Sequence, residues 1–504
     1  MGLLPIVYME RNESPKNSLK WMILLTVIIG TFLGRLDQTI VGLALPKIID
    51  DFGITVTMAG WISTAYILAN AVFVPVWGKL GDTVGRKKIY IIGFSIFIFG
   101  SVLAGVAWNF SSMIVFRVIQ AIAVSADYPT AMAIIAVTFN HGRDRAQALG
   151  IWSSAFAAAA VFGPLIGGPL IDNFGWRSIF LINLPLGVLG IFMALAYIHE
   201  SKTEQKAVKF DWWGSIVLGF SLSALVLVLD QGLSWGWLSL YSLLCYIATI
   251  VFGYLFYRIE IVHEEPVVDF KFFKNAVFNY TLINNFIVFM GMIGGIFLIP
   301  LFAQIFLGFD ATQTGMLFIP MAAGMVTAAA LGGRLTGLVQ PRYVIFVSTL
   351  WASIGIYLFH YLDVRSTALD IIIPLTVMAF GLGLGMSQRT NTIASVVPQN
   401  EIGIASSVLA LVRNISGAFG IALFSTILSN ATYSAASALT LNSVIKTSNP
   451  QIYRQAVGLI MLKAQVSAYG TVFLVSAAIV FFGSVTALFI KVPKGADSHH
   501  VSIE

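Results

Sequence analysis

The sequence predicts an all-α polytopic membrane protein, and three observations lead there. Of its 504 residues, 58% are hydrophobic and only 10% are Asp, Glu, Lys or Arg, against about 25% charged in a soluble domain. The apolar residues fall in runs of roughly 20, the length at which a helix crosses a hydrocarbon core of about 30 Å. The chain also carries 45 glycines and 16 prolines, which membrane helices tolerate better than soluble ones. A soluble multidomain enzyme is thereby excluded. The net charge of +6 is explained better by Lys and Arg holding loops on one side of a bilayer than by a nucleic-acid partner. With Cys245 as its one cysteine, the chain forms no intrachain disulfide. The first apolar run begins at Trp21, behind Arg11, Lys16 and Lys20. It is too long for a signal-peptide core and has no clear small-residue cleavage site, so it reads as a retained span.

Fourteen spans are expected. The first six lie near 21–46, 58–80, 88–108, 111–136, 145–170 and 177–199, and two more near 212–230 and 238–259. The last six lie near 276–301, 312–332, 343–361, 369–392, 401–428 and 469–490. This divides the chain into an N-terminal segment 1–20, a six-helix bundle 21–199, and a linker 200–274 that carries two extra spans. A second six-helix bundle follows over 275–490, then a tail 491–504. An even span number puts both termini on one side, and charge names that side as cytoplasmic. It holds 19 Lys and Arg, against six outside (Lys47, Arg177, Arg365, Lys446, Arg454 and Lys463).

One inner loop recurs between the halves. Gly78-Lys79-Leu80-Gly81-Asp82-Thr83-Val84-Gly85-Arg86-Lys87 follows span two. Gly333-Arg334-Leu335-Thr336-Gly337-Leu338-Val339-Gln340-Pro341-Arg342 follows the matching span of the second half, without the aspartate. Two related bundles with a cleft between them are a common transporter plan. Residues 429–468 read as a long outer loop, with an interfacial helix indicated by Ile452, Ala456, Leu459 and Ile460.

Charges inside spans are costly and mark functional candidates. At about 1.5 Å per residue, Asp37 in span one lies roughly 13 Å deep and Arg117 in span four roughly 9 Å deep. They pair if the helices are neighbours. Protonating Asp37 breaks that attraction, which suits a carrier; the alternative is an ion pair that only fixes helix register. Asp127 lies deeper in span four, two residues before Pro129, where a bend is expected. Gln120, seven residues from Asp127, falls on nearly the same face, so a polar stripe facing a cavity is expected. Asp127 is a second candidate proton site or a contact for a cationic substrate; the alternative is a buried protonated aspartate without a transport role. Arg35 points away from Asp37 and is not expected to pair with it. Arg413, with Asn414 beside it, is the most deeply placed charge of the second half and is a candidate for the substrate cavity; the alternatives are that it binds an anionic group or that it serves as a counter-charge in the interior.

The Gly78–Lys88 loop turns on its glycines, and Asp82 is expected against a helix N-terminus. In span five, Ala159, Gly163 and Gly167 make a flat packing face, while Pro164 and Pro169 bend the helix.

Together these residues resemble the major facilitator superfamily, and within it the 14-span drug–proton antiporters of the EmrB/QacA type. The Gly78–Lys87 loop is similar to that superfamily's loop between spans two and three. Asp37-Gln38-Thr39-Ile40-Val41 to Ala44-Leu45-Pro46 resembles the first-span motif of the 14-span group. Arg117 to Gln120 resembles the span-four motif, with Ala121 and Ala123 where glycines are usual. Gly163-Pro164 to Gly167-Gly168 resembles the span-five antiporter motif, with Ala159 in place of its first glycine. Trp176-Arg177-Ser178-Ile179-Phe180-Leu181-Ile182-Asn183-Leu184-Pro185-Leu186-Gly187 is similar to the stretch entering span six. The motifs cover the first half closely; the second is matched by span count and by Gly403 to Gly420.

The resemblance implies a major facilitator fold of two six-helix bundles plus two inserted helices outside the transport core. It implies proton-driven export of amphipathic, often cationic compounds from the cytoplasm by alternating access. Asp37 then takes part in proton coupling with Arg117 assisting. Gly78, Asp82, Gly85 and Arg86 form a conformational switch, with Asp82 latched against the start of span thirteen. The alternatives are a carrier of one defined solute (an amino acid, a siderophore or a lipid precursor) and a transport-dead sensor on the same fold. No enzyme is expected: a nucleotide-binding glycine loop followed by Lys-Ser/Thr, a His-Glu-x-x-His pair and a nucleophile motif are all lacking. The expected partners are a small-molecule substrate, protons and the lipid bilayer. Metal and cofactor are not expected, and any adaptor toward a second membrane would be a separate chain.

Overall fold

A computed structural model describes residues 17–139, 143–201, 211–263, 266, 268, 270–335, 338–397, 402–441 and 450–491. Its elements are helices. In the first half they are α1 (Asn17–Phe52), α2 (Val56–Val84), α3 (Arg86–Gly105), α4 (Phe110–Val124), α5 (Asp127–Thr138), α6 (Arg143–Phe174), α7 (Ser178–Leu181) and α8 (Asn183–Tyr197). The inserted pair is α9 (Trp212–Trp235) and α10 (Leu240–Val262). The second half has α11 (Ala276–Phe306), α12 (Ala311–Met316), α13 (Phe318–Arg334), α14 (Pro341–Leu358), α15 (Ala368–Ser395), α16 (Ile402–Leu441) and α17 (Pro450–Ala487).

Short polar residues set many of the starts. Thr55, Asn109, Asp211, Ser239, Asn275 and Asp310 each accept a hydrogen bond from a backbone N–H in the first turn of the helix that follows. Asn109 and Ser112 form a reciprocal capping box at the start of α4. Among the described residues, twelve helical stretches are long and apolar enough to cross a membrane, some built from two consecutive helices such as α4 with α5 and α7 with α8. The sequence predicts fourteen. The two expected spans outside that set fall on α6 and α9, helices of 32 and 24 residues, so among the described residues the structure supports twelve spans and not the expected fourteen.

In the first bundle α1 packs on α6 and α8, and α4 on α2 and α3. In the second, α15 packs on α13 and α14, and α16 on α11 and α17. The inserted hairpin is asymmetric: α10 packs on α9, whereas α9 also touches α2 and α16, one helix from each bundle. The largest apolar core runs through both bundles, from Ile40, Leu43 and Tyr66 to Phe297, Phe302 and Phe424.

The expected outer loop 429–468 is different in the structure. α16 continues to Leu441 and α17 begins at Pro450, so most of that stretch prolongs two spans. Ala431, Ala435, Ala436 and Ala438 are strong helix formers, and helical propagation from an already formed span carries no new nucleation cost. Residues 202–210, at the start of the expected linker 200–274, lie outside the described residues, as do 1–16 and 492–504.

Among the described residues, hydrogen bonds join the bundles from mid-height to the face opposite the α2–α3 turn. Gln304 Nε2 donates to the Leu43 carbonyl at 2.9 Å, and Asn414 Nδ2 approaches Asn70 Oδ1 at 3.5 Å. Asp172, at the end of α6, accepts from the Ala311 N–H at 3.2 Å, the Thr312 N–H at 2.8 Å and the Thr312 hydroxyl at 2.7 Å. Gly168 permits this seam, because a Cβ there would collide with the backbone of Ala311 and Thr312. This face is sealed by α6 against α12.

Asp172→Ala removes three of those hydrogen bonds. Since the group is exposed, the expected effect is about a fivefold rise in the population open at this face. Distances between spin labels at Phe174→Cys and Met316→Cys, in a Cys245→Ser background, check it. An unchanged distance distribution contradicts it.

Candidate functional site

Asp37, in the middle of α1, is fully buried, as are Arg117 and Gln120 on α4. Arg117 Nη1 donates to Asp37 Oδ2 at 2.6 Å and to Gln120 Oε1 at 2.6 Å. Gln120 Nε2 donates to Asp37 Oδ1 at 2.8 Å, and Asn183 Nδ2 reaches the same oxygen at 3.1 Å. Arg117 and Gln120 share a face because they are three residues apart on one helix. The capping box at Asn109 sets where that helix begins.

Three residues that sequence reasoning did not single out complete the node. Asn183, at the start of α8, also donates to Ser101 Oγ at 2.9 Å, and Ser101 donates to the Phe180 carbonyl at 2.8 Å. The Tyr66 ring of α2 lies under the guanidinium, 3.9 Å from its centroid to Arg117 Cζ, a cation–π contact. Asn183 stands inside the motif entering span six, so its position was legible there. Tyr66 and Ser101 carry no such signal.

Both carboxylate oxygens therefore carry hydrogen bonds, while Arg117 Nε is buried and finds no acceptor among the described residues. Removing one partner of a buried pair costs about 3–5 kcal/mol, because the other charge stays buried. A proton on Asp37 acts on the same balance: it cancels the negative charge and leaves Arg117 with Gln120 and the Tyr66 ring.

Asp127 lies apart from this node. The helix breaks at Ser125–Ala126, between α4 and α5, where Pro129 offers no N–H to the Ser125 carbonyl. The bend is where the sequence puts it, but the expected polar stripe is divided: Gln120 turns to Asp37, whereas Asp127 faces Thr31, Arg35 and Tyr90. Asp127 Oδ1 is buried and has no hydrogen-bond partner among the described residues. Arg35 Nη1 donates to Gln38 Oε1 at 2.7 Å, and Asp37 bonds to other residues, in keeping with their opposite directions on α1.

At the α2–α3 turn, Gly78 and Asp82 lie in the last turns of α2; the Asp82 side chain is outside the described residues. Gly85 takes φ 122°, a conformation open to glycine. The carboxylate at the start of α3 is Glu200, which accepts from the Lys87 N–H at 3.1 Å and the Lys88 N–H at 3.2 Å. The Arg86 N–H donates to the Ser201 carbonyl at 3.1 Å. In the span-five motif, Gly163 and Gly167 lie on Thr39, Ile40 and Leu43 of α1, and the Pro164 carbonyl meets Gly315 of α12. The motif thus packs on the helix that carries Asp37 and on the other bundle.

In the second bundle Arg413 and Asn414 are half-buried on α16. Arg413 Nε approaches Asn285 Oδ1 at 3.3 Å and Nη2 approaches Thr390 Oγ1 at 3.4 Å. Arg389 of α15, fully buried, donates to Asn284 Oδ1 and Thr349 Oγ1, each at 2.8 Å. A cavity of about 190 Å³ lined by Thr55, Ser425, Thr432, Gln465 and Tyr469 lies away from all these charges, at the sealed face. Among the described residues there is no cluster of His, Cys, Asp and Glu able to hold a metal.

The sequence profile of the Major Facilitator Superfamily matches residues 27–421. The chain belongs to this superfamily. Its members are membrane transporters rather than enzymes. The chain is similar to the multidrug transporter protein MdtP of Bacillus subtilis, 31% identical over 422 residues, which are 83% of this chain and 77% of that one. It is also similar to the multidrug resistance protein Stp of Mycobacterium tuberculosis, 30% identical over 408 residues, 80% of this chain and 76% of that one. A solved structure with the same fold is a bacterial homologue of the human lysosomal transporter Spinster in an inward-facing, occupied conformation. Its TM-score is 0.69 at 16% identity, over 94% of this chain and 97% of that one.

Arg117→Gln and Asp37→Asn each leave one buried group of the node without its charge partner. Each is expected to lower unfolding stability by about 3–5 kcal/mol, and the double variant by less than the sum. Unfolding of the four proteins in detergent checks this; additive losses contradict it.

Proposed function

We propose that the protein is a proton-coupled antiporter of fourteen spans that exports amphipathic drugs or metabolites bearing a cationic group. The observation that carries this reading is the Asp37–Arg117 pair, fully buried on two helices of one bundle. α6 and α9 complete the span count, the face holding the α2–α3 turn is the cytoplasmic one, and both termini lie there, in keeping with the distribution of Lys and Arg.

In this reading the substrate enters from the cytoplasm while the Asp37–Arg117 pair is formed and the seam between α6 and α12 is shut. The seam then opens, the substrate leaves, and a proton from outside neutralises Asp37 and loosens Arg117 from α1. The packing of α1, α2, α4 and α8 around the node shifts, the seam closes again, and release of the proton to the cytoplasm restores the pair. Asp127, with its unpartnered Oδ1, meets the cationic group of the substrate or takes a second proton. Gly78, Asp82, Gly85 and Arg86 form the switch on the cytoplasmic side, with Glu200 tying the start of α3 to the end of α8. The relatives named for multidrug transport and resistance support export of several compounds. A carrier of one solute is the second reading, supported by similarity to the riboflavin transporter RibZ of Clostridioides difficile, 29% identical over 407 residues.

The test is proton movement in vesicles holding a pH gradient, on adding a panel of amphipathic cations or riboflavin. Several cations are expected to release protons through the wild type and none through Asp37→Asn, with Asp37→Glu retaining part of the flux. No proton release with any compound through folded wild type contradicts antiport; release with riboflavin alone favours the second reading.

A further inference from the structure

The charges inside the two bundles are balanced differently. In the first bundle Arg117 is closed by Asp37, and Arg35 lies within electrostatic reach of Asp127. In the second, Arg389 and Arg413 lie within electrostatic reach of each other, and no carboxylate pairs with either among the described residues. Their partners are neutral: Asn284 and Thr349 for Arg389, Asn285 and Thr390 for Arg413.

Both nodes use the first, third, fourth and sixth membrane segments of their bundle. In the first these supply Asp37, Ser101, Arg117 and Asn183. In the second they supply Asn284, Thr349, Arg389 and the Gly483 carbonyl, which accepts from Asn284 Nδ2 at 2.9 Å. Where the first bundle has the aspartate on its first helix, the second has an asparagine.

Two donors at these arginines are left over. Arg389 Nη1 and Asn285 Nδ2 are buried and find no acceptor among the described residues. A cation without a counter-charge in a membrane interior is costly to keep and marks a function by default. Arg413 is the more exposed of the two arginines. It is half-buried, its two hydrogen bonds are long, and the Phe289 ring lies 5.1 Å from its Cζ. It also lies at the surface between the bundles: its neighbour Asn414 approaches Asn70 of α2, and Tyr128, next to Asp127, is within its electrostatic reach.

We propose that Arg413, with Asn285 beside it and Arg389 behind it, binds an acidic group on the exported compound, so that the substrate is a zwitterion spanning the two bundles. Its cationic end lies toward Asp127 and its carboxylate, sulfonate or phosphate at Arg413. This rests on the exporter reading and narrows its substrate class. A guanidinium offers paired N–H donors to such a group, and Phe289 supplies apolar surface beside it.

The test uses the full-length protein in lipid nanodiscs and matched pairs of compounds: tetramethylrhodamine and its methyl ester, and an N-alkyl amino acid and its methyl ester. Each pair differs in one negative charge. The wild type is expected to bind at least one free acid about tenfold more tightly than its ester, the range of one charge-assisted hydrogen bond. In Arg413→Gln the acid-to-ester ratio falls to within about twofold, and Arg413→Lys restores part of it. Ratios near one for both pairs in the wild type, or a ratio that survives Arg413→Gln, overturn the proposal. Proton release in vesicles separates the two readings. Acid preference without proton release supports the anion subsite and contradicts coupling, whereas proton release without acid preference does the reverse.

Discussion

A carboxylate and a guanidinium held 2.6 Å apart where water does not reach constrain everything around them. Neither charge is tolerable alone at that depth, so the helices that bring them together must stay in register. The remaining lone pairs and N–H groups need partners as well. Gln120 and Asn183 supply the carboxylate's second oxygen with donors, and Ser101 fixes Asn183. Tyr66 covers the guanidinium face. Five membrane segments are tied to one ionisable pair, so a change in its charge bears on the packing of all five.

The span-five glycines extend this coupling outward. Gly163 and Gly167 let α6 lie on α1 within two turns of Asp37, and Gly168 lets the same helix lie on α12 of the other bundle. A shift of α1 is therefore felt at the seam where Asp172 caps α12. The extra helices are less separate than an added hairpin suggests, since α9 touches both α2 and α16. It bridges the two bundles, while α10 packs on α9.

Much of this was legible in the sequence because membrane interiors penalise charge so heavily. Asp37 and Arg117 stand out in apolar runs, and their depths along two helices suffice to predict a pair. The bend at Asp127 follows from Pro129. Other features were hidden for physical reasons. Whether Gln120 shares a face with Asp127 depends on the helix continuing through Ser125, and it does not. Tyr66 and Ser101 are ordinary residues whose role comes from tertiary position. Glu200 is a helix-end carboxylate that meets α3 only because α8 returns beside it. The extension of α16 and α17 was read as loop because its polar and small residues weaken the apolar signal without weakening the helix.

The central claim is that Asp37 is the group that takes up the proton inside the membrane. Infrared difference spectroscopy of the full-length protein in lipid, recorded across a pH step, tests it most directly through the carboxylic C=O stretch. The account predicts a protonated-carboxyl band in the wild type and in Asp127→Asn that disappears in Asp37→Asn. A band that persists unchanged in Asp37→Asn, or one lost only in Asp127→Asn, would contradict it.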